Sequence, residues 1–214
     1  MSLLVITAVD AERDAVLRGI GPTHPPVHVV VAGVGPVAAA VGTMAALTAF
    51  PDTSFAVSAG IAGGFRGRIA QCDVAVANRL TFADLGARTD AGFLGLDEMG
   101  LRQDCSYAAS GSDVEKRLAR TPMRVVTGEI LTLACMTGTD DEARRLAERH
   151  PQAIAEAMEG FGVAAAAHCA RLPFAEIRAI SNVIGRRDPS SWNMRGAFDA
   201  LAQAFAELLK EPMP

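Results

Sequence analysis

The sequence is poor in aromatic residues and carries no excess of positive charge. Aromatic side chains make up 5% of the 214 residues, and the formal net charge is −4 at pH 7. Few aromatic side chains argue against the stacking surfaces that bind single-stranded nucleic acid. The acidic balance argues against a broad attraction to nucleic acid or to an anionic membrane. We therefore expect no nucleic acid and no membrane as a partner.

The cysteines and the apolar stretches also lack functional patterns. The four cysteines form no C-x-x-C pair and no zinc-ligand spacing with histidine; they are Cys72, Cys105, Cys135 and Cys169. Such isolated thiols are typical of a reducing compartment. The first residues lack the basic segment of a secretory signal peptide, and glycine or proline interrupts the apolar stretches before they could span a membrane. These features predict a cytoplasmic protein.

Hydrophobic residues, by contrast, are plentiful and regularly arranged. They make up 50% of the chain, and short apolar runs alternate with longer helical patterns. The predicted strands are 3–8, 28–33, 55–60, 73–78, 123–128, 152–158 and 174–181. Helices are predicted after Asp10, which can cap the first of them, and over 36–50, 139–150, 161–172 and 192–210, and a short helix is predicted from the capping-box pattern 112–115. This alternation predicts a single-domain, three-layer αβα sandwich over residues 1–214.

One segment does not fit the alternation. Residues 84–112 are rich in glycine and aspartate and show no sustained period. Long excursions of this kind in a compact domain are often functional. We therefore predict an irregular segment here, and its structure and role stay open.

Two glycine-rich segments follow predicted strands. The run from Gly33 to Ala38 fits the G-x-G-x-x-A pattern of dinucleotide-binding proteins, in which a helix N-terminus holds a pyrophosphate. However, the acidic residue that should bind a ribose at the end of the next strand is missing, so a tight turn is the favoured interpretation. The glycines of 60–64 would let backbone amides approach a ligand, although a turn without a ligand would look the same.

Polar residues also stand where predicted strands end. Glu12 lies just beyond the first strand, Glu159 ends the strand over 152–158, and Asn182 follows the strand over 174–181. A first-turn glutamate is favoured by the helix dipole alone, and an asparagine at a strand end is often only a turn residue. A carboxylate at the mouth of a sheet can equally act as a general base. Their recurrence at several strand ends favours a functional site.

The order of several segments resembles the nucleoside phosphorylase/nucleosidase superfamily, and in particular its hydrolytic branch. The matching segments are 5–12, 31–36, 59–64, 125–131, 155–169 and 174–188. The sequence Met158-Glu159-Gly160 and the sequence Arg178-Ala179-Ile180-Ser181-Asn182 carry most of this resemblance. Asn182 replaces the aspartate of the adenine-releasing members, and a G-x-R-D-x-x-x-W pattern follows it. This variant resembles the members that hydrolyse futalosine to hypoxanthine and dehypoxanthine futalosine, in menaquinone biosynthesis.

The resemblance implies a fold and a set of roles. The implied fold is an α/β sandwich with a central mixed, twisted sheet, assembled as a homo-oligomer. The implied catalytic residues are Glu12, which activates water, and Asn182, which contacts the purine. Met158 and Glu159 are implied to bind the ribose, and Gly63 and Gly64 to form a glycine-rich turn beside it. Base contacts are implied for Leu131, Thr132, Phe161 and Asn182. No metal and no cofactor are implied, because water is the nucleophile and a nucleoside is the substrate.

Several alternatives remain at this point. On the same fold, the enzyme could release adenine from methylthioadenosine, adenosylhomocysteine or aminodeoxyfutalosine. From other classes, an NAD-dependent dehydrogenase would use the 33–38 turn, and a non-catalytic relative would only bind nucleosides. The sequence does not say what holds the benzoate end of futalosine or how the leaving purine is protonated.

Overall fold

The computed structural model describes residues 2–22, 26–101 and 105–210, and it alternates strands with helices. The strands are β1 (Ser2–Thr7), β2 (Val27–Val31), β3 (Thr53–Gly64), β4 (Val74–Phe82), β5 (Gly86–Thr89), β6 (Gly92–Gly95), β7 (Ser106–Ala108), β8 (Val125–Thr132), β9 (Ala153–Ala157) and β10 (Phe174–Val183). The helices are α1 (Asp10–Ile20), α2 (Pro36–Ala49), α3 (Ser112–Leu118), α4 (Asp140–Arg149), α5 (Gly160–Cys169) and α6 (Met194–Leu208), with a 3₁₀ turn at Pro189–Ser191.

The main sheet is mixed, as predicted, and it also closes on itself. Its order is β2-β1-β3-β9-β8-β4-β10, and β10 pairs again with β3. The pairs β1–β3, β3–β10, β4–β8 and β8–β9 are parallel, whereas β3–β9 and β4–β10 are antiparallel. Strands β3, β9, β8, β4 and β10 therefore form a ring, from which β1 and β2 extend.

The helices cover both faces of the strands that lead to the site. Alternate residues of β1 point to opposite sides: Leu3 and Val5 pack with α1 and α6, whereas Leu4 and Ile6 pack with α2 and α5. Small residues bring these helices close together. A side chain at Gly162 of α5, for example, would overlap the carbonyl oxygen of Pro36 in α2. The run of alanines in α5 thus serves close packing.

Two local predictions are wrong, for reasons of hydrogen bonding. Gly63 and Gly64 form no turn, because β3 continues to Gly64 and pairs there with both β9 and β10. Asp10 does not cap α1 either. Val9 occupies the position before the helix, and the Glu12 carboxylate reaches back to accept the backbone N–H groups of Val9 and Ala8, as the glutamate of a capping box does. Asp10 pairs instead with Arg13, at 2.6 Å.

The segment predicted to be irregular contains short strands. Residues 86–95 form the β5–β6 hairpin, and β7 pairs antiparallel with β4. Residues 102–104 of this segment lie outside the described residues. Within the described ranges, no helix is both long and apolar enough to cross a membrane.

Candidate active site

A cavity of about 190 Å³ opens where β1, β3, β9 and β10 end. The sequence placed several candidate residues at these ends, and the structure brings five of them together. The cavity is lined by Glu12, Gly63, Met158, Glu159 and Asn182, together with residues that the sequence did not single out. In the part of the chain that the structure describes, no group of three His, Cys, Asp or Glu side chains could hold a metal ion.

Glu12 is held by backbone donors from two strand ends. One carboxylate oxygen accepts the N–H of Ala8 at 2.8 Å and that of Val9 at 3.4 Å. The other accepts the N–H of Ile61 in β3 at 2.9 Å. The side chain is 4% exposed, so these donors replace water around it. Hydrogen bonds of this kind fix the orientation of the carboxylate.

Glu159 is fixed from two directions. Its Oε1 accepts the N–H of Gly35 at 3.1 Å, and its Oε2 lies 3.2 Å from the Arg178 guanidinium. Gly35 precedes α2 with a φ of 95°, a conformation that glycine adopts readily. The Gly35 amide at the start of the G-x-G-x-x-A helix therefore binds a carboxylate of the protein itself, which disfavours the dinucleotide alternative. Each Glu159 oxygen keeps acceptor capacity for a ligand.

Arg178 is the centre of a buried charge cluster. It donates to Glu176 at 2.8 Å and to the Ser58 hydroxyl at 3.0 Å, besides its contact with Glu159. Burial alone would lower the pKa of Arg178, but the carboxylates of Glu176, Glu159 and Glu12 together raise it. Burial raises the pKa of Glu176, against the opposing effect of Arg178. The arginine therefore stays charged and holds the carboxylates in place.

Gly60 has no side chain, and the space that a side chain would fill is occupied by Glu12 and Arg178 of this cluster. A Cβ at this position would overlap the Glu12 carboxylate and would lie 2.6 Å from Arg178 Nη1. We expect Gly60→Ala to lower the free energy of unfolding by about 1–3 kcal/mol, as overpacking does, and to displace Glu12. Chemical denaturation measures this loss. Gly138→Ala is the matched control, because a Cβ there meets nothing within 4 Å. Equal stability of the two variants would contradict the expectation.

Asn182 stands at the end of β10, next to Gly63 of β3. The Ser181 hydroxyl donates to Asn182 Oδ1 at 2.8 Å, and one N–H of Asn182 Nδ2 donates to the Val183 carbonyl at 3.3 Å, which leaves the second N–H for a ligand. Nδ2 lies 3.3 Å from where a Cβ on Gly63 would be. Gly63 thus keeps the cavity open beside the amide, although it lies in a strand.

Glu156 is a site residue that the sequence reasoning missed. It pairs with Gly63 from the β9 side, so that Glu156 and Asn182 flank the same glycine. Its carboxylate accepts from the backbone N–H of Thr137 at 3.1 Å and from the Thr137 hydroxyl at 2.6 Å. Burial raises the pKa of Glu156, and the bonds from Thr137 oppose this.

Four of the predicted site residues lie outside the cavity lining. Leu131 and Thr132 are completely buried, and the Thr132 hydroxyl accepts from the N–H of Phe161. Phe161 packs among Phe82 and Tyr107, with ring centroids at 5.4 and 5.1 Å. The side chains of these three residues point into the core, and Gly64 lies in β3, where it pairs with Val183 and Ala155. The contacts predicted for these four residues remain predictions.

A signal for the missed residues is present in the sequence. Glu156, Glu176 and Arg178 are charged residues within strands that are otherwise apolar and buried. Buried charges require partners, so each of them points to a network or a ligand. Glu176 and Arg178 are two residues apart on one strand, a spacing that puts both side chains on the same face.

The chain is similar to known proteins in sequence and in fold. A family model described as the phosphorylase superfamily matches residues 17–211. The chain is 41% identical to a futalosine hydrolase of Streptomyces coelicolor, over 97% of this chain and 95% of that protein. It is also 41% identical to a futalosine hydrolase of Acidothermus cellulolyticus, over 96% and 89%. A 5′-methylthioadenosine/S-adenosylhomocysteine nucleosidase of Neisseria meningitidis shares the fold, with a TM-score of 0.82 at 20% identity over 98% of both chains.

Proposed function

This chain belongs to the phosphorylase superfamily, and we propose that it hydrolyses the N-glycosidic bond of futalosine, releasing hypoxanthine and dehypoxanthine futalosine. The observation that carries the proposal is the convergence of two buried carboxylates, Glu12 and Glu159, with the Asn182 amide on one cavity. These groups supply what the reaction needs: a base, acceptors for the ribose hydroxyls and donors for the purine.

The carboxylates account for the attack at the sugar. Hydrolysis of a glycosidic bond passes through a state in which positive charge develops on the sugar ring. Glu12 takes one proton from the attacking water, whose oxygen bonds to C1′ as the bond to purine N9 breaks. Glu159 accepts hydrogen bonds from the 2′- and 3′-hydroxyls, with Met158 beside the ring. Both carboxylates stabilise the developing positive charge, because the buried site screens them weakly.

Two polar groups account for the leaving purine. Hypoxanthine presents N7 and O6 as acceptors on one edge, and the N–H of Asn182 Nδ2 that is not bonded to the Val183 carbonyl can donate to this edge. Glu156 faces the same space from the opposite strand, where its carboxylate can accept the N1–H of a 6-oxopurine. Adenine has no hydrogen on N1 and carries a donor at position 6. The site therefore fits hypoxanthine better, and donors aimed at N7 and O6 stabilise the departing base until solvent protonates it.

Asn182→Asp should move the preference from 6-oxopurines to 6-aminopurines. A carboxylate would meet O6 with negative charge, whereas it can accept from the amino group of adenine. Each unmatched polar pair costs about 1–3 kcal/mol, so the ratio of kcat/KM for futalosine over aminodeoxyfutalosine should fall about 10- to 100-fold. Steady-state kinetics with both substrates measures the ratio. An unchanged ratio would make Asn182 a turn residue only.

The function itself is tested by identifying the base that is released. The protein is incubated separately with futalosine, inosine, methylthioadenosine and aminodeoxyfutalosine, and the products are separated by chromatography. We expect hypoxanthine from futalosine at the highest rate. Faster release of adenine from either 6-amino substrate would favour the alternative nucleosidase activity. Binding of futalosine without any release of base would favour the non-catalytic alternative.

An exposed apolar stripe along the first turns of α2 supports a homo-oligomer. Val37 and Val41 are 75% and 66% exposed, and Val34 and Met44 extend the stripe along the same face. Clustered exposed apolar side chains mark interaction surfaces. Val34 also lines the cavity, so a second copy seated on this stripe would lie beside the substrate. We place the assembled enzyme in the cytoplasm, where cysteines that form no disulfide fit a reducing environment.

A further inference from the structure

We propose that Asp140 is a positioning residue for purine recognition, because it joins the loop that follows Asn182 to the segment that binds Glu156; this rests on the proposed function. The loop covers residues 184–193, between β10 and α6. The segment, which we call the strap, covers residues 137–140 and leads into α4. Asp140 is not part of the cavity lining, so it acts on the substrate only through the residues that it holds.

The strap is fixed at its first residue by Glu156. One oxygen of this carboxylate accepts the Thr137 N–H at 3.1 Å, and the other accepts the Thr137 hydroxyl at 2.6 Å. Glu156 is buried, and both residues line the cavity. A carboxylate that is bound through both oxygens has a fixed orientation. The position of the strap and the orientation of Glu156 therefore depend on each other.

The loop returns to the strand that it leaves. The N–H of Asn193 donates to the Ser181 carbonyl at 2.8 Å, and the side chain of Gln71 donates to the carbonyls of Ser181 and Ser191 at 3.0 and 2.8 Å. The Ser181 hydroxyl in turn donates to Asn182 Oδ1. A shift of this loop is therefore transmitted to the backbone and the hydroxyl that hold the Asn182 amide.

Two hydrogen bonds join the loop to the strap. The N–H of Arg186 donates to Asp140 Oδ1 at 3.0 Å, and the N–H of Arg187 donates to the Gly138 carbonyl at 3.1 Å. Gly185 lies against the same carboxylate: its φ is 151°, and a Cβ on it would lie 2.5 Å from Asp140 Oδ1. Gly185 and Arg186 also line the cavity. This joint is therefore part of the cavity wall.

Recognition of a 6-oxopurine requires a donor and an acceptor at a fixed separation. In the proposed complex, an N–H of Asn182 meets the edge with N7 and O6, while the Glu156 carboxylate meets the N1–H. An error in this separation leaves one of these groups unpaired. The strap carries the partner of Glu156, and the loop follows Asn182, so the joint between them sets the separation. Asp140 supplies that joint with a charged acceptor, which binds a backbone N–H more strongly than a neutral one.

The test is the selectivity between two substrates with different bases. Asp140→Ala should lower the ratio of kcat/KM for futalosine over aminodeoxyfutalosine about 3- to 10-fold, the effect of about one neutral hydrogen bond. Aminodeoxyfutalosine loses less, because its base has neither O6 nor an N1–H to align. Asp140→Asn keeps an acceptor oxygen and should restore most of the ratio. The matched control is Asp141→Ala, which removes an exposed carboxylate that pairs with Arg144 in the same turn of α4 and should leave the ratio unchanged.

Two further comparisons separate positioning from helix stability. Asp140 lies in the first turn of α4, where a negative charge also favours the helix dipole. Asp140→Asn and Asp140→Ala both remove that charge, so equal ratios in the two variants would overturn the proposal. In an Asn182→Ala background, Asp140→Ala should change the ratio less than in the wild type, because the amide that it positions is gone. An equal change in both backgrounds, or an unchanged ratio in Asp140→Ala alone, would also overturn it. Failure of the wild type to release hypoxanthine from futalosine would instead overturn the proposed function.

Discussion

Glu12→Gln is expected to lower kcat for futalosine hydrolysis by about 10²- to 10⁴-fold, the usual contribution of a general base. An amide cannot take the proton of the attacking water, yet it has nearly the same size. Glutamine can also keep one acceptor oxygen toward the backbone N–H groups that bind Glu12. Substrate binding should therefore be largely retained. Steady-state kinetics gives kcat, and titration calorimetry with the slowly reacting variant gives the affinity.

The control for this variant is Glu148→Gln, which neutralises an exposed glutamate of α4. It should leave both kcat and affinity unchanged. If Glu12→Gln kept a kcat within a factor of about two of the wild type, Glu12 would not be the base. The backbone bonds of its carboxylate would then have a purely structural role at the start of α1.

Glu159→Ala is expected to lower kcat/KM by about 10²- to 10⁴-fold, through both kcat and affinity. Two charge-assisted hydrogen bonds to the ribose diol are lost, and each contributes about 1.5–3 kcal/mol. These bonds strengthen as the sugar becomes positively charged, which is why kcat falls as well. The matched substrate is 2′-deoxyfutalosine, which already lacks one of the hydroxyls, and the loss on this substrate should be smaller.

Removal of Glu159 also leaves Arg178 with one buried partner fewer. Loss of a partner from a buried ion pair destabilises a protein by about 3–5 kcal/mol. Thermal unfolding with and without substrate therefore accompanies the kinetics, and Glu159→Gln serves as the variant of nearly unchanged shape. If the folded Glu159→Gln variant cleaved futalosine and its 2′-deoxy analogue with the wild-type ratio, Glu159 would not bind the diol.

The sequence predicted the alternation of strands and helices well, because hydrophobic periodicity and the residues that begin or end an element are local features. Pro36 at the start of α2 and the Thr139 N-cap of α4 lie where predicted. It did not predict the extension of β3 to Gly64. A run of glycines has no hydrophobic periodicity, so the sequence predicts a turn there. Only the pairing with the two neighbouring strands makes this segment extended.

The sequence by itself determined which residue types could carry the chemistry, since Glu12, Met158, Glu159 and Asn182 stand at the ends of apolar strands that share one sheet. Only the tertiary structure decided which of them meet and what holds them. The closure of β10 onto β3 brings Arg178 under Glu159, and the pairing of Gly63 with two strands sets Glu156 opposite Asn182. It also turned Leu131 and Phe161 into the core. These outcomes depend on long-range pairing, which local patterns of hydrophobicity and spacing do not encode.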